Sequence, residues 1–142
     1  MQFYKLFFLT LLLIGIVAGQ APVVIDSVIL NKPVLKGDPF IIWDASIIDD
    51  SLCLDISYIG GNKSHVFRLF AFNRKFENKN FYMDLILSHR ANADRHQSVI
   101  STTLRFDLSP LKRKHSLSND SIHLNLYKLS VLNRVQMLTY NF

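Results

Sequence analysis

The sequence contains a single cysteine, Cys53, so no disulfide can form within the chain. A secreted domain without disulfides must be stabilised by packing alone. Cys53 alternates with Leu52 and Leu54 in an apolar segment, and free cysteine is among the residue types most often buried. We therefore interpret Cys53 as a small buried apolar residue rather than as a reactive thiol or an intermolecular bridge.

Motifs of common enzyme classes are also missing. There is no Gly-x-Ser-x-Gly nucleophile motif, no glycine-rich phosphate loop and no local cysteine protease signature around Cys53. None of the five histidines forms a close His-x-His or His-x-x-x-His pair of the kind that zinc sites use. Because His89 and His96 flank a loop that contains Asp94, a metal site there stays open as an alternative to solvated loop histidines. Our favoured interpretation has no catalytic residue, no metal and no cofactor.

A long apolar run occurs only at the amino terminus. Lys5 is followed by about a dozen apolar residues and then by Val-Ala-Gly at 17–19, which is the pattern of a secretory signal peptide. A membrane-spanning helix needs about 20 apolar residues, and this run is shorter. We predict that residues 1–19 are a cleaved signal peptide and that residues 20–142 form a single secreted domain without a membrane span.

Alternating apolar residues predict an all-β fold. Residues 64–89 contain two runs of period 2 joined by the polar stretch 73–80, which indicates a β-hairpin. Similar runs recur along the chain, separated by Gly-, Pro-, Asn- and Asp-rich breaks. We predict an antiparallel β-sandwich, immunoglobulin-like or related, of seven or eight strands. Four residues of the predicted strand over 40–48 should share one face: Ile41, Trp43, Ala45 and Ile47.

One part of the sequence resembles a known family. The run TTLRFDLSPL (102–111), followed after a polar gap by NDSIHLNLYKL (119–129), is similar to the C-terminal β-sandwich region of plant and bacterial polyphenol oxidases. This resemblance implies a β-sandwich over about a quarter of the chain. It implies no copper site and no catalytic residue, because the copper-binding helical domain of that family has no counterpart here.

Charge and predicted loops indicate where a partner would bind. Lys and Arg number 16 against 11 for Asp and Glu, an excess that favours polyanionic partners. Loops of a rigid scaffold often carry binding residues. The candidate binding residues are Arg74, Lys75, Phe76 and Lys79 in the predicted loop 73–80, and Lys112, Arg113 and Lys114 in the predicted loop 109–120.

Two sequence motifs suggest modification or processing. Asn-x-Ser sequons begin at Asn62 and Asn119, both in predicted turns that a glycosyltransferase of a eukaryotic secretory pathway could reach. Lys112 and Arg113 form a dibasic pair of the type at which secreted precursors are cut. The sequence predicts glycosylation more readily than cleavage, because strand-like sequence continues on both sides of the dibasic pair.

These observations favour a secreted, non-catalytic β-sandwich module that binds an extracellular protein or a glycan through its loops, and not a nucleic acid. Two alternatives stay open. One is a small extracellular metal-binding protein or enzyme that uses His89, Asp94 and His96. The other is a secreted precursor that is cut after Arg113.

Intact mass spectrometry of the native protein, before and after enzymatic deglycosylation, tests the predicted secretion. We expect the mass of residues 20–142, with added glycan mass if either sequon is modified, because signal peptidase cuts after small residues. A mass that retains Met1 would contradict a cleaved signal peptide. Two fragments that meet at Arg113 would instead support the precursor.

Overall fold

The computed structural model describes residues 23–30, 37–115, 121–128 and 133–142 of the chain. The predicted signal peptide lies outside these residues. Nine strands and one short helix occur in the described part. They are β1 (Val23–Ser27), β2 (Ile29–Leu30), β3 (Ile41–Ile48), β4 (Ser51–Gly60), β5 (Val66–Glu77), β6 (Asn80–Arg90), β7 (Ser98–Asp107), α1 (Ser109–His115), β8 (Ser121–Lys128) and β9 (Asn133–Asn141).

The strands form two sheets, with the orders β1-β7-β4-β3 and β2-β5-β6-β8-β9. This arrangement confirms the predicted all-β sandwich. The pairs β3–β4, β4–β7, β5–β6 and β8–β9 are antiparallel, whereas β1–β7, β2–β5 and β6–β8 are parallel. Apolar alternation reports which face of a strand is buried but not the direction of its neighbour. The pattern therefore indicated the sandwich without revealing the parallel pairs.

The predicted first strand, over residues 23–30, is divided between the two sheets. β1 pairs with β7 in the four-stranded sheet, and β2 pairs with β5 in the five-stranded sheet. Between them, Val28 is buried and its N–H donates to the carbonyl of Asp107 at 3.2 Å. This short segment thus crosses from one sheet to the other along their shared side.

The core is a single apolar cluster to which both sheets contribute. On β4, β7 and β8, burial alternates with period 2 as predicted, so every second side chain points inward. In the four-stranded sheet the fully buried members include Leu52, Leu54, Ile56 and Phe106. In the five-stranded sheet they include Leu69, Leu85, Leu87, Leu124 and Leu126.

Edge strand β3 departs from the predicted alternation. A β-bulge between Ile42 and Asp44 leaves Trp43 without a register partner on β4. Because one extra residue shifts the alternation, Trp43 turns to the outer face while Ala45 points inward. Trp43 is 67% exposed and Ala45 is 4% exposed. The prediction that these two residues share a face was therefore wrong.

The predicted loop 73–80 is mostly strand. β5 continues to Glu77 and β6 begins at Asn80, so the hairpin connection is only the two residues 78–79. Both have positive φ, 48° and 66°, as a tight turn that matches the strand twist requires. The polar stretch did not predict a strand because both faces of a hairpin tip can lie near solvent. The assignment of Arg74, Lys75 and Phe76 to a loop was wrong, whereas Lys79 lies in the turn.

The predicted loop 109–120 begins with helix α1. The Asp107 carboxylate accepts hydrogen bonds from the backbone N–H and the hydroxyl of Ser109, at 2.8 and 2.9 Å. Pro110 fits the first turn, where a helix needs no N–H partner, and Leu111 is fully buried. In the described residues, no helix is long and apolar enough to cross a membrane.

Substitutions on β7 test the assignment of its faces. Leu104→Ala should lower the free energy of unfolding by about 2–5 kcal/mol, because it leaves a cavity in the core. Val99→Ala is the matched control on the same strand and should change the free energy of unfolding by less than about 0.5 kcal/mol. Urea denaturation measures both. Similar losses for the two variants would contradict the inward orientation of Leu104.

Candidate functional site

Two features meet at the end of the sandwich where β4 ends and β7 begins. One is a buried chain of hydrogen-bonded polar groups that connects the segments 37–40, 61–65 and 91–97. The other is a group of exposed apolar residues on the outer face of the four-stranded sheet. We call this end of the molecule the loop end.

The Asp94 carboxylate joins two of these segments. Its Oδ2 accepts hydrogen bonds from three consecutive backbone N–H groups, of Gly61, Asn62 and Lys63, at 2.8, 2.9 and 3.0 Å. Its Oδ1 accepts one from the N–H of His96 at 2.9 Å. These donors, first that of His96, hold the pKa of Asp94 far below its ordinary value. The Asp94 side chain is only 1% exposed, so its negative charge is stabilised by internal hydrogen bonds.

Two histidines extend the chain from Asp94 to the segment before β3. His65 Nε2 lies 3.2 Å from Asp94 Oδ2, and His65 Nδ1 lies 2.8 Å from His89 Nε2. His89 Nδ1 then lies 3.3 Å from the carbonyl oxygen of Pro39. Burial, and next the charge of His65, lower the pKa of His89. The four groups form one continuous path, Asp94–His65–His89–Pro39, which we call the histidine chain.

Aromatic rings enclose the histidine chain. Phe67 stacks on His89 with a centroid separation of 4.3 Å and an angle of 4° between the rings. Tyr58 lies 4.5 Å from His65, and Phe40 meets His89 edge-on at 5.9 Å. Burial, and next the charge of Asp94, raise the pKa of Tyr58. These rings keep bulk water from the hydrogen bonds, which strengthens their electrostatic component.

The alternative metal site at His89, Asp94 and His96 gains no support from this geometry. Asp94 contacts His96 through the backbone N–H of that residue, and the His96 ring faces the carbonyl of Gly60 at 3.2 Å. Across the described ranges, no three His, Cys, Asp or Glu side chains are placed to hold a metal ion. The side chains that sequence reasoning grouped are instead used for internal hydrogen bonds.

Sequence reasoning missed His65 as the residue that connects the others. The period-2 alternation of inward and outward residues could have identified it. His65 lies two residues before the buried Phe67, and His89 lies two residues after the buried Leu87, so both should point inward. Phe67 and His89 are also register partners in the hairpin. Period 2 therefore places the two histidines at the same end of the core.

The exposed apolar residues form a patch on the outer face of the four-stranded sheet, at the loop end. Ile59 and Val99 are direct cross-strand partners on β4 and β7. Ile41 on β3 lies opposite Ser57, two residues before Ile59. We define the apolar patch as Ile41, Trp43, Ile59 and Val99, whose exposed fractions are 47%, 67%, 60% and 73%.

The Trp43 ring is held in a fixed position within this patch. Its Nε1–H donates to the Ser57 hydroxyl at 2.7 Å, and that oxygen is 2.8 Å from the Ser101 hydroxyl. Ser57 is buried although it lies on the outer face. The hydrogen bonds satisfy the polar edge of the indole, so the exposed part of the ring is apolar and preorganised.

Two carboxylates border the patch. Asp44 and Asp55 are cross-strand partners on β3 and β4, and both are exposed. Like charges at such positions destabilise a sheet. Asp55 accepts a hydrogen bond from the Thr103 hydroxyl. Neither Asp44 nor Asp55 forms an ion pair with a basic residue in the part of the chain that the structure describes.

The predicted binding residues lie outside the apolar patch. Lys75, Phe76 and Lys79 lie at the tip of the β5–β6 hairpin, where the Phe76 ring is 63% exposed and lies 4.8 Å from that of Phe81. Lys112 is in α1, paired with Asp50, which is why it is not part of a free basic loop. The backbones of Arg74 (β5), Arg113 (α1) and Lys114 (α1) are described, but their side chains are outside the described set.

Three other predicted positions can be located in part. Asn62 lies in the exposed turn after β4, while Asn119 lies outside the described residues. Glycosylation of both stays a prediction. Cys53 is free and partly exposed on the outer face, opposite Arg105, so its assignment to the core was wrong. Leu52 and Leu54 on either side of it point inward, and alternation therefore sends Cys53 outward.

Gly60 provides a test of how tightly the histidine chain is packed. A Cβ at this position would lie 2.2 Å from His65 Nε2, so Gly60→Ala should displace the ring and lower the free energy of unfolding by about 1–3 kcal/mol. In a His65→Ala background the same substitution should cost much less, because the clashing ring is gone. Ser98→Ala, at the register partner of Gly60, is the control. Equal costs in both backgrounds, measured by urea denaturation, would contradict the close packing.

Comparisons with known proteins were consistent with the fold. A NigD-like immunity protein from Bacteroides caccae superposes with a TM-score of 0.56 at 18% identity, over 85% of this chain and 60% of that one. A protein of unknown function from Bacteroides vulgatus gives 0.55 at 15% identity, over 84% and 57%. A toxin-related protein from Parabacteroides distasonis gives 0.53 at 18% identity, over 83% and 61%. At these identities the similarity shows the fold alone.

This chain spans less than two thirds of the length of those three structures. No curated protein matches the sequence. The family model that matches residues 22–138 describes a NigD-like C-terminal beta sandwich domain, so the resemblance to polyphenol oxidases is not the relationship that the comparisons support. The matched residues include every described strand, from β1 to most of β9. The chain therefore belongs to the family of the NigD-like C-terminal beta sandwich domain.

Proposed function

We propose that this protein is a secreted, non-catalytic module that binds a protein partner through the apolar patch. The observation that carries the proposal is the Trp43 ring, which is 67% exposed yet hydrogen-bonded into one orientation. Single exposed apolar residues are common on protein surfaces, but grouped ones mark interaction sites. Here Trp43 is grouped with Ile59 and Val99 on the same face of the same sheet.

The composition of the patch favours a protein surface over other partners. Tryptophan is enriched among the residues that dominate binding energies at protein interfaces. A ring that is already held in place loses little conformational entropy on binding. The neighbouring carboxylates of Asp44 and Asp55 favour a partner with a basic side chain beside its apolar centre, because a positive charge would relieve their mutual repulsion. The contact surface is thus a sheet face bordered by loops, rather than the hairpin tip or α1.

The names of two structures of similar fold agree with a protein partner but do not identify one. One structure of similar fold is called an immunity protein and another is called toxin-related. Both names fit a role in protein interaction. Secretion is supported by the amino-terminal signal pattern, and we propose that binding takes place outside the cytoplasm. A polyanionic or glycan partner is less favoured, because the groups that border the patch are acidic.

A photo-crosslinking amino acid at Val99 tests this proposal in the producing cell. We expect it to capture one defined protein that the same crosslinker at Phe76 does not capture. Phe76 is the matched control because its ring is 63% exposed but lies on the β5–β6 hairpin, away from the patch. The captured protein is then purified and titrated against the wild-type chain.

With that purified partner, Trp43→Ala should weaken binding by about 30-fold or more, because truncating a dominant interface residue costs about 2 kcal/mol or more. Phe76→Ala should leave the affinity unchanged. Since Trp43 is the only tryptophan in the chain, a fluorinated tryptophan label gives a single ¹⁹F signal that should shift on binding. Equal affinity for the wild type and Trp43→Ala would refute the patch. A glycan that competes at the Trp43 signal would assign it to carbohydrate instead.

A further inference from the structure

The histidine chain contains more hydrogen bonds than two neutral imidazoles can supply with protons. It has three contacts in series: Pro39 O to His89, His89 to His65, and His65 to Asp94. Each contact needs one proton between its two atoms. Two neutral imidazole rings carry two protons on four nitrogens, so one proton more is required.

Neither end of the chain can supply the missing proton. The carbonyl oxygen of Pro39 only accepts. The Asp94 carboxylate already accepts from backbone N–H groups at both of its oxygens, and these donors stabilise its ionised form. The protons facing the two ends must therefore sit on His89 Nδ1 and His65 Nε2, and the third must lie between the rings.

The arrangement of the two rings fits a hydrogen bond between them. Their planes are 19° apart with a centroid separation of 5.0 Å, while His65 Nδ1 and His89 Nε2 are only 2.8 Å apart. That nitrogen separation is shorter than the van der Waals distance between stacked rings. The rings therefore meet edge to edge, with the proton close to the plane of both, as a directional hydrogen bond requires.

We infer that the His65–His89 pair binds one extra proton in the folded protein, carried by His65 as an imidazolium and balanced by Asp94. This proton completes the hydrogen bonds that hold the segments of the loop end in contact. His89 is the neutral member, since it is buried and its outer nitrogen faces a carbonyl oxygen, whereas His65 contacts the Asp94 carboxylate. The Tyr58 ring, 4.5 Å from His65, provides a π surface that favours a cation.

Other titratable groups around the pair are engaged in separate contacts. The Asp38 carboxylate accepts from the N–H of Ala91 at 2.6 Å and helps to favour a proton on His89. Lys63 Nζ donates to the carbonyls of residues 92 and 93, at 3.2 and 3.1 Å. His96 contacts the carbonyl of Gly60 at 3.2 Å. None of these contacts supplies a proton to the path between Pro39 and Asp94.

Loss of the extra proton removes one of the three links. If His65 Nε2 is left bare, two acceptors face each other at 3.2 Å. If the remaining proton stays on Nε2, the bare Nδ1 faces the bare Nε2 of His89 at 2.8 Å. If His89 then moves its own proton to Nε2, its bare Nδ1 faces the carbonyl oxygen of Pro39 at 3.3 Å. Each arrangement places two acceptors against each other among side chains that are 1–2% exposed, which is costly. The histidine chain holds the 37–40 segment, which leads directly into Ile41. Because a rising pH removes the extra proton, the loop end should open more readily as the pH rises.

Nitrogen-15 NMR of the protein, expressed with its own amino-terminal segment, reads this proton directly. Two-bond couplings distinguish bare from protonated ring nitrogens. We expect both nitrogens of His65 to be protonated, and only Nδ1 of His89, at a pH where His123 is already neutral. His123 is the control because it lies on β8 and contacts Thr139 rather than a member of the histidine chain. One proton on each of His65 and His89 at that pH would overturn the inference.

Amide hydrogen exchange measures the effect on the loops, after correction for the intrinsic pH dependence of exchange. The closed form holds a proton that the open form releases above about pH 6.5, the ordinary imidazole value. The opening constant at Gly61, Asn62 and Lys63 should therefore rise about tenfold per pH unit above that value. Amides at the far tip of the β5–β6 hairpin, which can open locally without breaking the histidine chain, should show no such slope. A flat profile at the three turn amides would refute the inference.

Asp94→Asn provides a second test. Removing the balancing charge should leave His65 with one proton, which nitrogen-15 NMR of the folded variant reads. Asp55→Asn, which removes a carboxylate from the outer face, is the matched control and should leave both protons on His65. A His65 that keeps both protons in folded Asp94→Asn would contradict the proposed pairing.

Discussion

The Asp94 carboxylate is the group on which the loop end of this sandwich depends. It accepts from three consecutive N–H groups in the turn after β4, from the N–H of His96 and from the ring of His65. This one side chain satisfies three backbone N–H groups across a sequence separation of more than 30 residues. Without that carboxylate, the turn after β4 would lose the acceptor of its three N–H groups, and the loop 91–97 would lose the acceptor of the His96 N–H.

The apolar patch depends indirectly on the histidine chain, through the segment that precedes β3. His89 is bound to the carbonyl of Pro39, and the N–H of Asp38 donates to the carbonyl of His89 at 2.8 Å. These contacts fix the chain as it enters β3, where the bulge turns Trp43 outward. Two features that lower the stability of the fold therefore lie close together on this sheet, an exposed indole and a pair of facing carboxylates. Stability alone favours neither feature, and this is why we assign them to binding.

The fold itself says little about activity. β-sandwiches support many unrelated functions, and the similar structures show the architecture at identities of 18% or less. The apolar patch and the histidine chain, by contrast, are properties of named side chains. The two features can be tested separately, one by binding and the other by proton occupancy without any partner.

The sequence by itself determined the all-β class, the inward rows of β4, β7 and β8, and the position of the loop that contains Asp94. These follow from local alternation and turn residues, which act over a few positions. Tertiary structure decided what depends on pairing between distant segments. The bulge at Trp43 appears only in the register with β4, and the hairpin tip at 73–80 forms strands because β5 and β6 pair with each other. The contact between His65, His89 and Asp94 likewise requires two strand ends and a loop to meet. Alternation directs both histidines inward, but hydrogen bonds between residues 24 to 29 positions apart form only once the tertiary structure brings these segments together.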